Sequence, residues 1–268
     1  MLEQAKGNRY TLVITLRKGL TPGLVVGGIG WCEWVFVYRD AGWGITLALF
    51  MSIAIYAAVS LWVADPRLAD CLESLVLLPL YILFTSSLPW FFIDQLYLIP
   101  AVYSLVTGLA LVHAYRKRID LRPLFLVPRR RVLQSLWLGL ALGIPLGAVE
   151  YFIITPTPAF PSFGLGNLLR DLVYMVFFVG LGEELLFRGL IQRDLSRLLG
   201  WKPGLVLTGV TFGIMHLTWR SVPEVFFTTG AGLVFGYVYH RTGNLVAPVL
   251  IHGIGNVTLI SVMPYLAR

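Results

Sequence analysis

Apolar residues run along this chain in long, nearly unbroken stretches, separated by short polar intervals. The stretches lie near 19–38, 43–63, 71–93, 96–114, 132–154, 168–190, 203–218, 223–240 and 243–264. Most approach the roughly 20 residues that a helix needs to cross a hydrocarbon core of about 30 Å. They do not alternate apolar with polar, which excludes a transmembrane β-barrel. In lipid every backbone polar group must be satisfied inside the protein, so the pattern predicts helices. The segments within 203–240 are short, which suits tilted or partly inserted helices and leaves the number of spans at eight or nine. The expected fold is an all-α, polytopic transmembrane bundle of about eight spans.

Two local patterns refine this picture. Gly139, Gly143 and Gly147 recur at every fourth position of one predicted helix, and small residues at that spacing let two helix backbones approach closely in lipid. The segment RKRIDLRPLFLVPRRR (116–131) is a basic linker. It divides amino-terminal transmembrane helices and the linker itself (1–131) from a carboxy-terminal core (132–268). No internal repeat and no low-complexity stretch is evident.

Composition agrees with the pattern. Of 268 residues, 57% are hydrophobic and only 13% charged, against roughly a quarter charged in a soluble domain. Mean hydropathy is +0.77. So few polar groups could not cover a water-exposed globule, and disorder, a collagen-like rod, a disulfide scaffold and a free nucleic-acid binder are excluded. The net charge of +7 is read as a topology signal, because Lys and Arg collect on the cytoplasmic side. With the amino terminus inside, cytoplasmic segments of the first half carry twelve basic residues and the opposite loops carry only Arg39. The amino terminus lacks the layout of a secretory signal, since Arg17 and Lys18 interrupt its first apolar run. Cys32 and Cys71 fall at or inside apolar stretches, which argues against a structural disulfide.

Ionisable groups inside a span cost roughly 2.5–3.5 kcal/mol each, so each calls for a reason. Glu33 stands alone in the first span without a partner to assign. Glu150 lies near the outer end of the fifth, where Arg170 is expected to form an ion pair with it. The remaining groups come from three successive segments. In Glu183-Glu184-Leu185-Leu186-Phe187-Arg188, Glu184 precedes Arg188 by four residues, the favourable order for an ion pair along a helix. Glu183 projects about 100° away and stays available. His216 follows Phe212 by one turn. His252 and Asn256 share one helix face, with Gly253 and Gly255 leaving room beside them.

Carboxylates, imidazoles and an amide are the parts that hydrolysis needs: a base for water and donors for a developing oxyanion. None of the three segments contains a serine or cysteine nucleophile, and no G-x-S-x-G motif occurs, so the attacking group is expected to be water. Glu183, His216 and His252 also make up a His₂Glu set that could bind zinc. The chain has no H-E-x-x-H motif, so such a site would gather its ligands from three helices.

The ordered set EExxxR (in the form EELLFRG, 183–189), FxxxH (212–216) and HxxxN (252–256) resembles the CPBP family. That family contains type II CAAX prenyl endopeptidases and abortive-infection-like proteins. The resemblance covers roughly the last 140 residues, counted from the sequence. It implies an intramembrane endopeptidase in which Glu183 activates water with help from His216. His252 and Asn256 would form the oxyanion hole, and Glu184, Arg188 and Phe212 would support the site. It further implies metal-free chemistry with no cofactor, zinc being the alternative. The partners would be membrane lipid and a peptide or prenylated protein substrate, with no nucleic acid. The location would be the plasma membrane if the source is prokaryotic, with the site facing the cytoplasm.

At 1.5 Å per residue, Glu183 lies about 22 Å from the outer start of its span, and His216 and His252 about 20 and 13 Å from the inner starts of theirs. His216 is then expected too far out, unless helix ends or tilt differ. Two competing classes remain. One is a non-catalytic membrane scaffold or chaperone that keeps the polar cluster for packing. The other is a transporter, although the chain lacks the repeated halves and interrupted helices expected of one.

Overall fold

A computed structural model describes residues 2–87, 95–158 and 162–267, with side chains for 19–86, 97–158 and 162–267. Among these residues there are helices and no strand. The long elements are α1 (Leu2–Tyr38), α2 (Ala41–Leu61), α3 (Pro66–Leu75), α4 (Leu77–Ser87) and α5 (Gln95–Arg116). After a short α6 (Arg122–Phe125) come α7 (Arg129–Ile154) and α8 (Leu165–Leu199). Then follow α9 (Trp201–Ile214), α10 (Val222–Thr242) and α11 (Val246–Leu266).

Local chemistry sets several of these boundaries. The Asp40 carboxylate accepts from the Trp43 backbone N–H and opens α2. Asp65 does the same for Arg67 and Leu68 ahead of Pro66 at the start of α3, satisfying donors that the helix leaves unpaired. Ser221 caps α10. Gly200, at φ +90, separates α8 from α9, a backbone conformation that costs a residue without a Cβ very little.

Seven helical stretches are long and apolar enough to cross a membrane, with α3 and α4 together forming one of them. The sequence pattern suggested eight or nine, and the difference lies within 203–240. Helix α9 has 14 residues, about 21 Å at 1.5 Å per residue, which is short of the hydrocarbon core. Helix α10 has the length but carries Glu224, His240 and Arg241. The stretch expected at 168–190 continues to Leu199. The span expected at 71–93 runs into residues outside the described set.

The principal core draws on both sides of the basic linker. Val26 and Ile29 of α1 and Leu75, Leu77 and Leu78 join Leu185, Leu186 and Phe187 of α8, Phe212 of α9 and Ile251 of α11. Contacts between elements keep consistent ends. Lys117 forms ion pairs with Asp70 and Glu73, Ser74 donates to Asp194, and the Leu245 N–H donates to the Leu124 carbonyl. At the other end the Arg220 guanidinium donates to the Val37 carbonyl.

The expected ion pair between Glu150 and Arg170 does not form. Arg170 instead binds its neighbours Asp171 and Asn167, which lie on its own helix and need no reach across a loop. Glu150 instead lines a cavity together with Phe227 and Thr228 of α10. Cys32 and Cys71 are both buried and unpaired.

The glycine row does what its spacing implies. A Cβ on Gly143 would meet the Ile251 carbonyl and the Gly255 nitrogen, and one on Gly147 would run into the Gly255 carbonyl. Backbone thus packs on backbone between α7 and α11, leaving no space for a side chain. Gly147→Leu is expected to lower the stability of the detergent-solubilised protein by about 3 kcal/mol or more, as overpacking against rigid backbone does. Gly166→Ala, where a Cβ meets nothing within 4 Å, is expected to be neutral or mildly stabilising. Thermal unfolding of both variants beside the parent checks the contrast.

Candidate active site

Helix α8 contains most of the site's charge, and its backbone is widened there. Residues Leu185–Gln192 form a π-helical stretch directly after Glu183 and Glu184, a distortion common where helices contribute to function. Glu184 and Arg188 are wholly buried and joined by a 2.8 Å ion pair between Oε1 and Nη1. The guanidinium is also enclosed by rings. Its Cζ lies 4.6 Å from the centroid of Phe212, 5.3 Å from Phe235 and 5.8 Å from Phe187. Such stacking stabilises a cation that has lost its water.

Arg188 also fastens two helices together. Its Nη2 donates to the Gly232 carbonyl at 3.0 Å, and Gln192, one turn on, donates to Gly236 at 2.9 Å. Two side chains four residues apart on α8 thus grip two carbonyls four residues apart on α10. Gly232 and Gly236 allow the close approach.

The same Glu184 Oε1 receives a second partner, Nδ1 of His252, at 2.8 Å. A carboxylate only accepts, so Nδ1 carries the hydrogen and the ring is held in one orientation. Its Nε2 then lies 3.9 Å from Oε2 of Glu183, and the ring stacks on Phe235 at 5.2 Å. His216 is oriented by a different device. Its Nδ1 lies 2.8 Å from the Phe212 carbonyl, which also only accepts, so in a neutral ring Nε2 is the free acceptor.

His216, His252 and Asn256 line one small cavity together with Glu150, Phe212, Thr228 and Phe235. Its volume is about 20 Å³, enough for one water, and its wall offers the polar partners a buried water needs. The expectation that His216 would lie too far out does not hold. Helix α9 ends at Ile214, and His216 sits in the turn beyond it, with its N–H donating to Gly213. The helix that sequence periodicity extends to 218 stops short, and that stop places the imidazole beside His252.

All seven residues singled out from sequence therefore gather in one region. Glu183 is not on the cavity wall, but it reaches the wall residue His252, and its Oε1 accepts from the Tyr103 hydroxyl at 3.0 Å. Tyr103 of α5 lies close to Tyr81 of α4. Tyr81 lines a second pocket of about 200 Å³ with Glu33, Phe36 and Met215. Glu33, left without a partner by the sequence, is buried there, and its Oε2 has no hydrogen-bond partner among the described residues. Sequence reasoning did not single out Tyr81, Tyr103, Phe187, Phe235 or Glu224. Glu224 had the same signal as the others, an acid in an apolar run. The tyrosines and phenylalanines had none, being common throughout the chain. Among the described residues no three His, Cys, Asp or Glu side chains form a group that could hold a metal ion.

Residues 165–258 match a family model described as type II CAAX prenyl endopeptidase Rce1-like. The matched stretch runs from the start of α8 into α11 and includes every residue of the three motifs. No curated protein and no solved structure matches the chain. The resemblance read from the motifs and the family match agree. With seven helices of spanning length and apolarity, the chain is an integral multi-pass membrane protein with an Rce1-like segment, a family generally of proteases.

The buried pair makes a stability prediction. Removing one partner leaves an uncompensated charge in a dry site, so Arg188→Met or Glu184→Gln is expected to cost about 3–5 kcal/mol. The double substitution is expected to recover much of that loss. A double-mutant cycle on thermal unfolding in detergent measures the coupling.

Proposed function

We propose that this protein is an intramembrane endopeptidase that hydrolyses a peptide bond in a membrane-associated substrate by glutamate-activated water. The CaaX tail of a prenylated protein is the substrate class the family match favours. The observation that supports this reading best is the division of labour between adjacent acids. Glu184 is neutralised by Arg188 and spent on orienting His252, while Oε2 of Glu183 has no hydrogen-bond partner among the described residues and lies 3.9 Å from that imidazole.

In the proposed reaction, Oε2 of Glu183 deprotonates a water that sits between it and the cavity, with Nε2 of His216 as a second acceptor that orients it. Tyr103 holds the other carboxylate oxygen. The carbonyl oxygen gains charge as water adds, and His252 Nε2–H and the Asn256 carboxamide donate to it. That role requires the His252 ring to carry a hydrogen on each nitrogen, the one on Nδ1 being held by Glu184. The step needs no metal, and none of these roles is assigned to one. The basic linker and the end-to-end contacts support an amino terminus and an active-site opening on the cytoplasmic side. In a prokaryote the membrane would be the plasma membrane.

Glu183→Ala is expected to reduce cleavage of a farnesylated CaaX peptide by at least about 10²-fold while the protein still inserts and folds. The unlipidated twin peptide reports whether the prenyl group is recognised. Undiminished turnover by the variant would overturn the reading. Incubation with o-phenanthroline is expected to leave activity intact. Loss on chelation and recovery with zinc would replace the metal-free mechanism with one that uses Glu183, His216 and His252 as ligands.

A further inference from the structure

One wall of the catalytic cavity belongs to none of the three motifs. Glu150 of α7 lines it beside His216, His252 and Asn256. Its carboxyl neighbours that of Glu224 on α10. Glu224 is wholly buried, and neither of its oxygens finds a hydrogen-bond donor among the described residues. The cations of the neighbouring helices are engaged elsewhere, Arg188 by Glu184 and Arg170 by Asp171.

An ionised carboxylate buried without a donor or a cation is prohibitively costly, and two side by side more so. Two neighbouring carboxyl groups can relieve that cost by keeping a proton between them, since each carboxylate alone only accepts. The pair therefore stores one acidic hydrogen, and Glu150 is the member that presents it to the cavity. Hydrolysis by the scheme above lacks one such group. Glu183 takes a proton from water, yet an amine expelled as its anion is a very poor leaving group, so the departing nitrogen has to be protonated.

We propose that Glu150, sharing its proton with Glu224, is the general acid that protonates the leaving nitrogen. This rests on the peptidase reading and adds a residue to it. Water adds through its oxygen to the carbonyl carbon, and its proton passes to Glu183. The C–N bond then breaks, its electron pair stays on nitrogen, and the Glu150 proton is transferred there. The products are an acid and an amine. The acid pair regains its proton from solvent and Glu183 releases one, so the cycle closes without any other reactant.

The test compares two farnesylated peptides on the full-length protein in detergent. One has the scissile amide, and its twin has sulfur in place of the leaving nitrogen. A thiolate departs without protonation, because thiols are far stronger acids than amines. Glu150→Gln is expected to reduce amide cleavage by about 100-fold or more, with a much smaller loss on the thioester. Glu224→Gln, which alters the acid pair from outside the cavity, is expected to show the same contrast, and it carries the test if Glu150→Gln fails to fold. Glu183→Gln is expected to lose both substrates. Equal losses on amide and thioester in the Glu150 and Glu224 variants, or no loss on either, would overturn this inference and leave the peptidase reading standing. Full activity of Glu183→Gln, or no cleavage by the parent protein, would remove both.

Discussion

A single buried ion pair organises this protein's polar interior. Glu184 and Arg188 lie one turn apart on α8 with no exposure to solvent, and each also makes a contact beyond its own helix. The arginine reaches the Gly232 carbonyl of α10 and lies against three phenylalanine rings. The glutamate reaches His252 of α11. Three helices are thereby tied at one point. A pair of this kind adds little net stability over apolar packing, but leaving it half-made is very costly. Its consequence here is orientational, because only arrangements that satisfy both charges keep α8, α10 and α11 together.

The orientation extends to the chemistry. Because Glu184 holds Nδ1 of His252, Nε2 faces Glu183 and the cavity. Phe212 has a double part, its ring covering the Arg188 guanidinium and its carbonyl fixing His216. Neighbouring groups of like chemistry are thus given different tasks by their surroundings. Of two adjacent glutamates one is paired with an arginine and one accepts from a tyrosine, and of two histidines one is held by a carboxylate and one by a carbonyl. Backbone packing of α7 on α11 through Gly143, Gly147 and Gly255 brings Glu150 to the same cavity.

Much of this was legible in the sequence, for a physical reason. Charge in a hydrocarbon-crossing stretch is so unfavourable that each instance marks a partner or a task. That constraint exposed Glu183, Glu184, Arg188, His216, His252 and Asn256, and the spacing of Glu184 and Arg188 identified their pairing. The same constraint misled at Glu150, where the nearest opposite charge along the chain was Arg170. Arg170 had an acid beside it on its own helix. The position of His216 was also misjudged, because hydropathy continues past Ile214 although the helix does not.

The sequence by itself determined that this is a bundle of membrane-crossing helices, that α7 presents a glycine face, and which motif residues would need one another. These follow from local rules: apolar length, helical periodicity and the cost of buried charge. Only the tertiary structure decided that Tyr103 holds Glu183, that Phe187, Phe212 and Phe235 enclose Arg188, and that Glu150 meets Glu224. Those contacts join residues far apart in the chain, and nothing in an aromatic or acidic side chain specifies its distant neighbour. Helix packing, set by glycine contacts and one ion pair, selects it.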